Sequence, residues 1–229
     1  MLSVICPIYN EAKYIDVCVQ SILLQDYPKQ QLEVLFVDGM SKDGTRDIVN
    51  NYSKQYPFIR LLNNEKRIVP VAMNIGIKAS IGDIVMRLDA HAQYPPNYFS
   101  VLVKELVRLR ADNVGVACKT DVLNKTSKTL AIREVLSNRF GVGNSTFRLG
   151  VDKVIEVDTV PFGCWKKDVF NKYGFYDERL IRNQDIELNK RIVRGGGHIF
   201  IVPDTYCTYL ARETFDGLAT VSYTHLTLP

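Results

Sequence analysis

The chain lacks the sequence patterns of several common enzyme classes. Its first apolar run, residues 2–6, is not followed by Gly-x-Gly-x-x-Gly, and no Gly-x-x-x-x-Gly-Lys-Ser/Thr occurs anywhere. A dinucleotide-dependent dehydrogenase and a P-loop ATPase therefore lose their main support. The five cysteines form no Cys-x-x-Cys pair, so we expect no zinc site. No apolar run approaches the roughly 18 residues of a membrane span, so we expect none.

Few features favour a secreted protein. The N-terminus begins directly with a strand-like run rather than a basic segment and a long apolar stretch, which predicts no signal peptide. An odd number of cysteines without a pattern is typical of a reducing compartment. Cys6, Cys18 and Cys118 lie in apolar stretches that predict core positions. We therefore expect a cytoplasmic protein.

The charge balance is mild. The 229 residues carry a formal net charge of +4, with 46% hydrophobic and 24% charged residues, which is an ordinary globular composition. A charge so small and so evenly spread does not favour nucleic-acid binding. It favours the approach of an anionic small substrate and loose contact with an acidic membrane surface.

Apolar runs alternate with helical patterns in the first half of the chain. The runs at 2–6, 32–37, 59–62 and 84–88 predict strands, and apolar spacing predicts helices over 15–23, 45–56, 69–79 and 98–109. This alternation predicts βαβ units, and therefore an α/β fold with a mostly parallel sheet flanked by helices in a single domain.

The second half of the chain is less regular. We predict strands at 114–119, 154–160 and 198–202, and helices at 130–139, 168–173 and 185–194. Together these predict two halves, about 1–112 and 113–220, that share one sheet. Residues 221–229 have no periodicity, and we expect them to be a non-native tail on a chain truncated near Thr220.

Polar residues follow three of the predicted parallel strands. Tyr9 and Glu11 follow the first strand, Asp38 ends the second, and the Asp89-Ala90-His91 triplet follows the fourth. The carboxyl ends of parallel strands open onto one edge of a sheet, where ligands bind. Aspartate and histidine are acceptable ligands for Mg²⁺ or Mn²⁺, so the triplet predicts a metal site suited to a diphosphate. Asp38 could accept hydrogen bonds from a base or ribose, and Tyr9 could lie along a base.

Simpler roles stay open for several of these residues. Asp89 could cap the next turn, with His91 merely exposed. Asp43-Gly44-Thr45 fits a turn followed by a helix N-cap. Arg67 lies between a strand and a helix, where it could meet a phosphate or simply occupy the surface. Trp165 could stack on a sugar face or pack in the core.

Five motifs, in this order and spacing, resemble family 2 glycosyltransferases of the GT-A fold across residues 2 to about 215. They are Pro7-x-Tyr9-Asn10-Glu11, Asp38-Gly39-x-Ser41-x-Asp43-Gly44-Thr45, Asn74-x-Gly76, Gly82-Asp83 and Leu88-Asp89-Ala90-His91. A closer resemblance is to the ExoA-like branch, which is associated with succinoglycan and other exopolysaccharide synthesis. It rests on residues 87–92 with Tyr94-Pro95, Gly141-Val142-Gly143-Asn144, residues 158–163 and Arg182-Asn183-Gln184-Asp185.

The resemblance implies a UDP-linked sugar donor and a divalent cation, Mn²⁺ or Mg²⁺. Asp89 and His91 stand at the family's D-x-D metal motif, where His91 replaces the usual acid. The first half would then bind the nucleotide, through Pro7, Tyr9, Glu11, Asp38, Arg67 and Asp89.

The resemblance also implies the reaction. Asp185 stands where the family places the catalytic base of an inverting transfer, although its position alone fits an ordinary carboxylate in a first helical turn. Trp165, Arg182 and Gln184 are the candidates for acceptor contacts in the second half. The acceptor would be a saccharide or a lipid-linked saccharide, at the inner face of a bacterial cell membrane, with the membrane surface as a partner of the full-length protein.

Two other functions stay open. A nucleotidyltransferase also uses a metal at a strand end, but it predicts a loop rich in glycine, lysine and arginine after the first strand, which residues 7–11 lack. A nucleotide-sugar-binding protein without catalysis would keep the nucleotide site and show no turnover.

Overall fold

The computed structural model describes residues 1–137 and 150–212. The Gly141–Asn144 motif and the predicted tail at 221–229 lie outside these residues. The strands are β1 (Leu2–Ile8), β2 (Leu32–Asp38), β3 (Ile59–Asn63), β4 (Ile84–Arg87), β5 (Ala92–Gln93), β6 (Asn113–Asp121), β7 (Ile155–Glu156), β8 (Cys164–Lys166) and β9 (Ile199–Leu210). The helices are α1 (Ile15–Leu23), α2 (Thr45–Gln55), α3 (Val69–Ala79), α4 (Tyr98–Arg108), α5 (Ser127–Ser137), α6 (Asp168–Tyr173) and α7 (Gln184–Arg194).

The four strands β1–β4 form the parallel part of the sheet, in the order β3-β2-β1-β4. Their registers pair Leu2 with both Leu32 and Ile84, so β1, β2 and β4 begin level. β1 and β2 also end level, at Ile8 and Asp38, whereas β4 ends at Arg87 opposite Ile5. All residues of β2 and nearly all of β1 are buried, as expected for parallel strands covered by helices on both faces. This part of the predicted fold is confirmed.

The second half of the chain extends the same sheet with mixed strand directions. β8 is antiparallel to both β4 and β6, β9 is parallel to β6, and β5 and β7 are antiparallel to β9. The two halves therefore share one sheet, as predicted. Their proposed boundaries at residues 112 and 220 stay predictions.

Helices cover both faces of the sheet because side chains of a strand alternate between the faces. On one face, residues of α1, α2 and α4 share one core cluster with Leu2, Val4 and Cys6 of β1. On the other face, α3, α6 and α7 pack around Ile5 and neighbouring strands. Among the described residues, no helix is long and apolar enough to cross a bilayer.

Two predictions about strands in the second half are wrong in their bounds. The strand predicted at 154–160 is only β7, and the chain then runs without regular structure to β8, which the pattern did not predict. The strand predicted at 198–202 is the first part of β9, which continues through Pro203 to Leu210. A register shift between Val116 and Ala117 of β6 accommodates the proline, because Val116 pairs with Val202 and Ala117 with Tyr206.

One cysteine pair differs from the expectation of unpaired cysteines. Cys118 of β6 and Cys207 of β9 form a disulfide between neighbouring strands, with Cα atoms 4.8 Å apart. Cys118 is therefore a cross-linked residue rather than a lone core thiol. Cys6, Cys18 and Cys164 are buried free thiols.

Gly76 of the Asn74-x-Gly76 motif brings α3 close to β1. A Cβ atom at this position would lie 2.5 Å from Cγ2 of Ile5. We predict that Gly76→Ala lowers the free energy of unfolding by about 1–2 kcal/mol, since overpacking outweighs the better helix propensity of alanine. Urea unfolding measures this. The double variant Gly76→Ala/Ile5→Ala should lose less unfolding free energy than the two single variants together, because the smaller Ile5 side chain removes the clash. Strict additivity of the two losses would contradict the contact.

Candidate functional site

The carboxyl ends of β1, β2 and β4 surround a cavity of about 270 Å³. Backbone hydrogen bonds continue the strand alignment to this edge, from Gly39 N to the Ile8 oxygen (2.8 Å) and from Leu88 N to the Ile5 oxygen (2.9 Å). The predicted residues that line the cavity are Pro7, Tyr9, Glu11, Arg67, Asp89 and His91. The structure therefore brings together six of the seven residues predicted for the nucleotide or metal.

Asp89 and His91 are in contact at the centre of this edge. His91 Nδ1 lies 2.8 Å from Asp89 Oδ1 and 3.4 Å from Glu11 Oε1, and the His91 backbone N–H donates to Asp89 Oδ1 at 3.2 Å. The hydroxyl of Tyr94 fixes the backbone of Asp89, since it accepts from the N–H at 2.7 Å and donates to the carbonyl oxygen at 3.1 Å. The triplet is thus a rigid turn that presents a carboxylate and an imidazole together.

The contact between Asp89 and His91 shifts both of their pKa values. Burial acts to raise the pKa of Asp89, but the charge and hydrogen bonds of His91, with Arg87 nearby, outweigh it and lower this pKa to about 2. Burial acts to lower the pKa of His91, but Asp89 and then Glu11 outweigh it and raise this pKa well above its usual value. The contact therefore favours the charged form of each side chain, a carboxylate beside an imidazolium, and both side chains are partly exposed.

Asp43-Gly44-Thr45 ties the loops after β1 and β2 together. The hydroxyl of Thr45 accepts from Glu11 N at 2.8 Å, and Asp43 accepts from Ala12 N at 3.0 Å and from Thr45 N at 3.1 Å. Burial acts to raise the pKa of Asp43, but the Thr45 hydroxyl, which donates to its carboxylate at 2.5 Å, and the two backbone N–H donors outweigh burial and lower the pKa. The motif is thus a turn before α2, in agreement with its simpler interpretation. It also fixes the backbone of Glu11 through the hydroxyl of Thr45.

Asp38 lies at the end of β2 with its carboxylate already engaged. It is fully buried, accepts from the backbone N–H of Ser41 at 3.0 Å and from its hydroxyl at 2.5 Å, and pairs with Arg46. Its neighbours Val37 and Gly39 line the cavity, whereas Asp38 does not. The structure therefore places Asp38 behind the cavity wall rather than on it.

Tyr9 stands at the mouth of the cavity, with 46% of its surface exposed. Gly39 packs against it, and a Cβ at Gly39 would lie 3.0 Å from Cδ2 of Tyr9. Arg67 lines the same cavity from the turn before α3, where its backbone has a φ of 58°. One wall is therefore aromatic and another carries a cation.

Asp185 lies in the first turn of α7, as predicted. Nη1 of Arg87 donates to both of its carboxylate oxygens, at 2.5 and 2.6 Å, and the hydroxyl of Tyr176 donates to Oδ1 at 3.2 Å. Arg87 itself lines the cavity. A single buried guanidinium therefore separates Asp185 from the predicted nucleotide site.

The three predicted acceptor residues do not form a common surface. Trp165 is 1% exposed and packs against Phe170 and Tyr176, so the structure corrects its proposed role of stacking on a sugar: it is a core residue. Gln184 is buried beside Asp185 in α7, whereas Arg182 is exposed in the preceding loop. Of the three, Arg182 is the exposed residue.

Sequence reasoning missed two cationic residues at the site. Arg212 lines the cavity and places Nη2 3.4 Å from Glu11 Oε1, and Arg87 joins the cavity to Asp185. Arg87 carried a sequence signal, because it lies at the end of the predicted fourth strand, two residues before Asp89. Arg212 carried none, since its partner is 201 residues away.

The donor atoms at this edge decide whether it can hold a divalent cation. Glu11 Oε2 is buried without a hydrogen-bond partner among the described residues, as expected where a ligand completes the site, whereas His91 Nδ1 already faces Asp89 Oδ1 at 2.8 Å. In residues 1–137 and 150–212, no group of three or more His, Cys, Asp or Glu side chains is arranged to hold a metal. Asp89 and His91 supply two donors, so a cation held by them would need further ligands from phosphate and water. Metal binding at His91 would release its proton.

Comparison with known proteins gives the family. A sequence profile described as glycosyl transferase family 2 matches residues 3–174. The chain belongs to this family, and its class is therefore that of a glycosyltransferase.

Two curated relatives match most of the chain. It is 28% identical to dolichyl N-acetyl-alpha-D-glucosaminyl phosphate 3-beta-D-2,3-diacetamido-2,3-dideoxy-beta-D-glucuronosyltransferase of Methanococcus voltae, over 97% of this chain and 71% of that protein. It is 29% identical to succinoglycan biosynthesis protein ExoA of Rhizobium meliloti strain 1021, over 91% of this chain and 63% of that protein. The resemblance to the ExoA-like branch is confirmed, and the chain spans about two thirds of the length of these relatives.

Solved structures share the fold. S. aureus TarS 1–349 in complex with UDP-GlcNAc superposes with a TM-score of 0.72 at 19% identity, over 95% of this chain and 60% of that chain. The mannosyltransferase PcManGT of Pyrobaculum calidifontis, in complex with GDP-Man and Mn²⁺, gives a TM-score of 0.70 at 22% identity, over 93% and 58%. The predicted GT-A fold is confirmed.

Proposed function

We propose that the chain transfers a sugar, with inversion, from a UDP-linked donor to a saccharide or lipid-linked saccharide acceptor during synthesis of exopolysaccharide or another cell-surface polysaccharide. One observation carries the proposal. The cavity at the strand ends runs from Tyr9 to Asp89 and reaches Arg87, whose guanidinium holds the carboxylate of Asp185. A nucleotide site and a carboxylate that can act as a base therefore adjoin each other.

The nucleotide would lie between the loops after β1 and β2. Tyr9 would stack on the base and Pro7 would shape the pocket beside it. Glu11 supports ribose binding, because its Oε2 is buried and has no hydrogen-bond partner among the described residues. Asp38 would act indirectly. Its contacts with Ser41 and Arg46 would fix the loop after β2, which lies beside the base.

The diphosphate would lie over the triplet. Asp89 and His91 would hold Mn²⁺ or Mg²⁺, and the bound cation would neutralise charge on the departing diphosphate. The chain's own cations support this placement, since Arg67 and Arg212 line the same cavity. Positive side chains on two walls favour an anionic ligand.

Asp185 would act as the general base. Its carboxylate would take the proton of the acceptor hydroxyl while that oxygen bonds to the anomeric carbon. The bond from this carbon to the diphosphate oxygen then breaks, and the nucleoside diphosphate leaves with the electron pair. Attack opposite the leaving group inverts the configuration. The 21% exposure of the Asp185 side chain supports access by an acceptor.

The setting we propose is the inner face of the cell membrane. The named substrate of the Methanococcus voltae relative is a dolichyl-linked sugar phosphate, which supports a lipid-linked acceptor. The net charge of +4 supports loose contact with an acidic lipid surface. The membrane surface would then be a partner of the protein.

The role of Tyr9 gives a prediction for binding. Tyr9→Ala should weaken UDP binding by about 1–2 kcal/mol, roughly 5- to 30-fold, because the stacking surface for the base is lost. Isothermal titration with UDP and Mn²⁺ measures the affinity. Tyr206→Ala is the control, since Tyr206 is 37% exposed on β9 and does not line the cavity. An equal loss in both variants would contradict the placement of the base.

A donor screen tests the proposed function. UDP-, GDP- and TDP-sugars with Mn²⁺ are compared by thermal shift, and a selective rise with UDP-sugars identifies the donor, because a bound ligand stabilises the folded state. Acceptor-dependent release of UDP is then measured. Binding without release would favour a nucleotide-sugar-binding protein, and release of pyrophosphate from a nucleoside triphosphate would favour a nucleotidyltransferase.

A further inference from the structure

Two residues that the sequence did not predict as site residues hold the carboxylate of Asp185. Arg87 and Tyr176 both donate to it, and both are buried, with Tyr176 3% and Arg87 7% exposed. Arg87 lies at the end of β4 and Tyr176 in the loop between α6 and α7. Asp185 is thus held from two separate elements besides its own helix, which restricts its orientation.

Tyr176 is itself held by Asn74 of α3. The side-chain oxygen of Asn74 accepts from the Tyr176 backbone N–H at 3.0 Å, and its amide donates to the Tyr176 carbonyl oxygen at 2.9 Å. This pair of hydrogen bonds joins residues 102 positions apart. The asparagine of the Asn74-x-Gly76 motif therefore fixes the backbone of Tyr176, while Gly76 lets α3 approach the sheet closely enough to do so.

The ring and hydroxyl of Tyr176 are suited to a fixed donor. The ring packs against Trp165 and Phe170. Burial, and then the charge of Asp185, raise the pKa of Tyr176 well above its usual value, so its hydroxyl keeps the proton that it donates. Arg87 supplies the charge that balances the carboxylate.

We propose that Asn74 and Tyr176 are positioning residues for Asp185 in the transfer reaction. The proposal rests on the proposed function, since it assumes that Asp185 is the base. The tyrosine hydroxyl and the guanidinium of Arg87 together orient the carboxylate toward the acceptor oxygen. Neither Asn74 nor Tyr176 lines the donor cavity, so they affect the chemical step and not donor binding.

Tyr176→Phe tests the proposal, because it removes only the hydroxyl and keeps the packed ring. We expect kcat to fall roughly tenfold, as for the loss of one hydrogen bond to a charged group. KM for the donor and the Kd for UDP should stay within about twofold of the wild-type values, and the unfolding midpoint should not change. Tyr173→Phe is the matched control: it also loses a tyrosine hydroxyl, whose partner is Asp112 at 3.4 Å. It should retain wild-type kcat.

A second variant tests the role of Asn74. Asn74→Ala should lower kcat at unchanged KM, and adding Tyr176→Phe should cost little more, because both changes remove the same restraint on Asp185. An unchanged kcat in Tyr176→Phe would overturn the positioning role while the proposed function stands. A parallel fall in kcat, UDP affinity and unfolding midpoint would also overturn it, in favour of a structural role. Failure of the wild-type chain to transfer sugar while it binds UDP would overturn the proposed function, and this proposal with it.

Discussion

Asp185→Asn should lower kcat by roughly 10³-fold, the scale of a lost general base, while the Kd for UDP stays within about twofold. Asparagine has nearly the volume of aspartate but cannot take the proton of an acceptor hydroxyl. UDP binding should persist because Asp185 lies beyond Arg87 from the cavity. Initial rates of UDP release and isothermal titration of UDP measure the two effects separately.

The same substitution leaves Arg87 buried without its counter-ion. A buried charge that loses its partner costs about 3–5 kcal/mol, so the unfolding midpoint should fall as well. Rates are therefore compared at a temperature at which circular dichroism shows both proteins folded. Glu187→Gln is the matched control, since Glu187 lies in the same helical turn and pairs with Arg191 instead. Loss of UDP binding in Asp185→Asn alone would contradict the assignment of Asp185 as a base.

Asp89→Asn should weaken the binding of UDP in the presence of Mn²⁺ by about 2–4 kcal/mol, roughly 30- to 1000-fold. The change removes the one carboxylate of the triplet, and it leaves the imidazolium of His91 without its nearest partner. Binding by the wild-type chain should weaken when EDTA removes Mn²⁺, whereas binding by the variant should respond little. Isothermal titration with and without the metal measures both effects.

Asp83→Asn is the control for this experiment. Asp83 lies just before the other end of β4, where its side chain is 90% exposed and pairs with the N-terminal amine at 3.2 Å. It should bind UDP like the wild-type chain. If Asp89→Asn bound UDP with wild-type affinity and kept its response to Mn²⁺, the metal would lie elsewhere.

The parallel part of the fold could be predicted because its signals are local. Apolar runs and helical spacing located β1–β4 and α1–α4 to within a few residues. The rule that parallel strands end at one edge then predicted that Tyr9, Glu11 and Asp89 would meet, and they line one cavity. The order of the motifs predicted the glycosyltransferase family, which the profile match to residues 3–174 confirms.

The second half resisted prediction because its strands are short and depend on distant partners. β8 has three residues and is set by β4 and β6 on either side, so its own sequence carries almost no periodicity. β9 crosses Pro203 only because β6 shifts register opposite it. The disulfide between Cys118 and Cys207 likewise follows from strand pairing and not from cysteine spacing.

The residues around Asp185 could not be predicted either, because they too come from distant parts of the chain. The contact between Arg87 and Asp185 joins residues 98 positions apart, and the contact between Asn74 and Tyr176 joins residues 102 apart. No local pattern encodes either contact, because the order of strands in the sheet brings the residues together. Trp165 left two interpretations open, a sugar platform and a core residue, and its burial in β8 favours the core residue.

The most direct test of the account is the configuration of the product. The chain, once shown to bind UDP, is given an α-linked UDP-sugar, Mn²⁺ and a saccharide or lipid-linked saccharide acceptor, and the new linkage is determined by the anomeric coupling constant in proton NMR. The account predicts acceptor-dependent release of UDP and a β-linked product in the wild-type chain, with neither detected in Asp185→Asn over the same time. An α-linked product, or equal transfer by the two proteins, would contradict it.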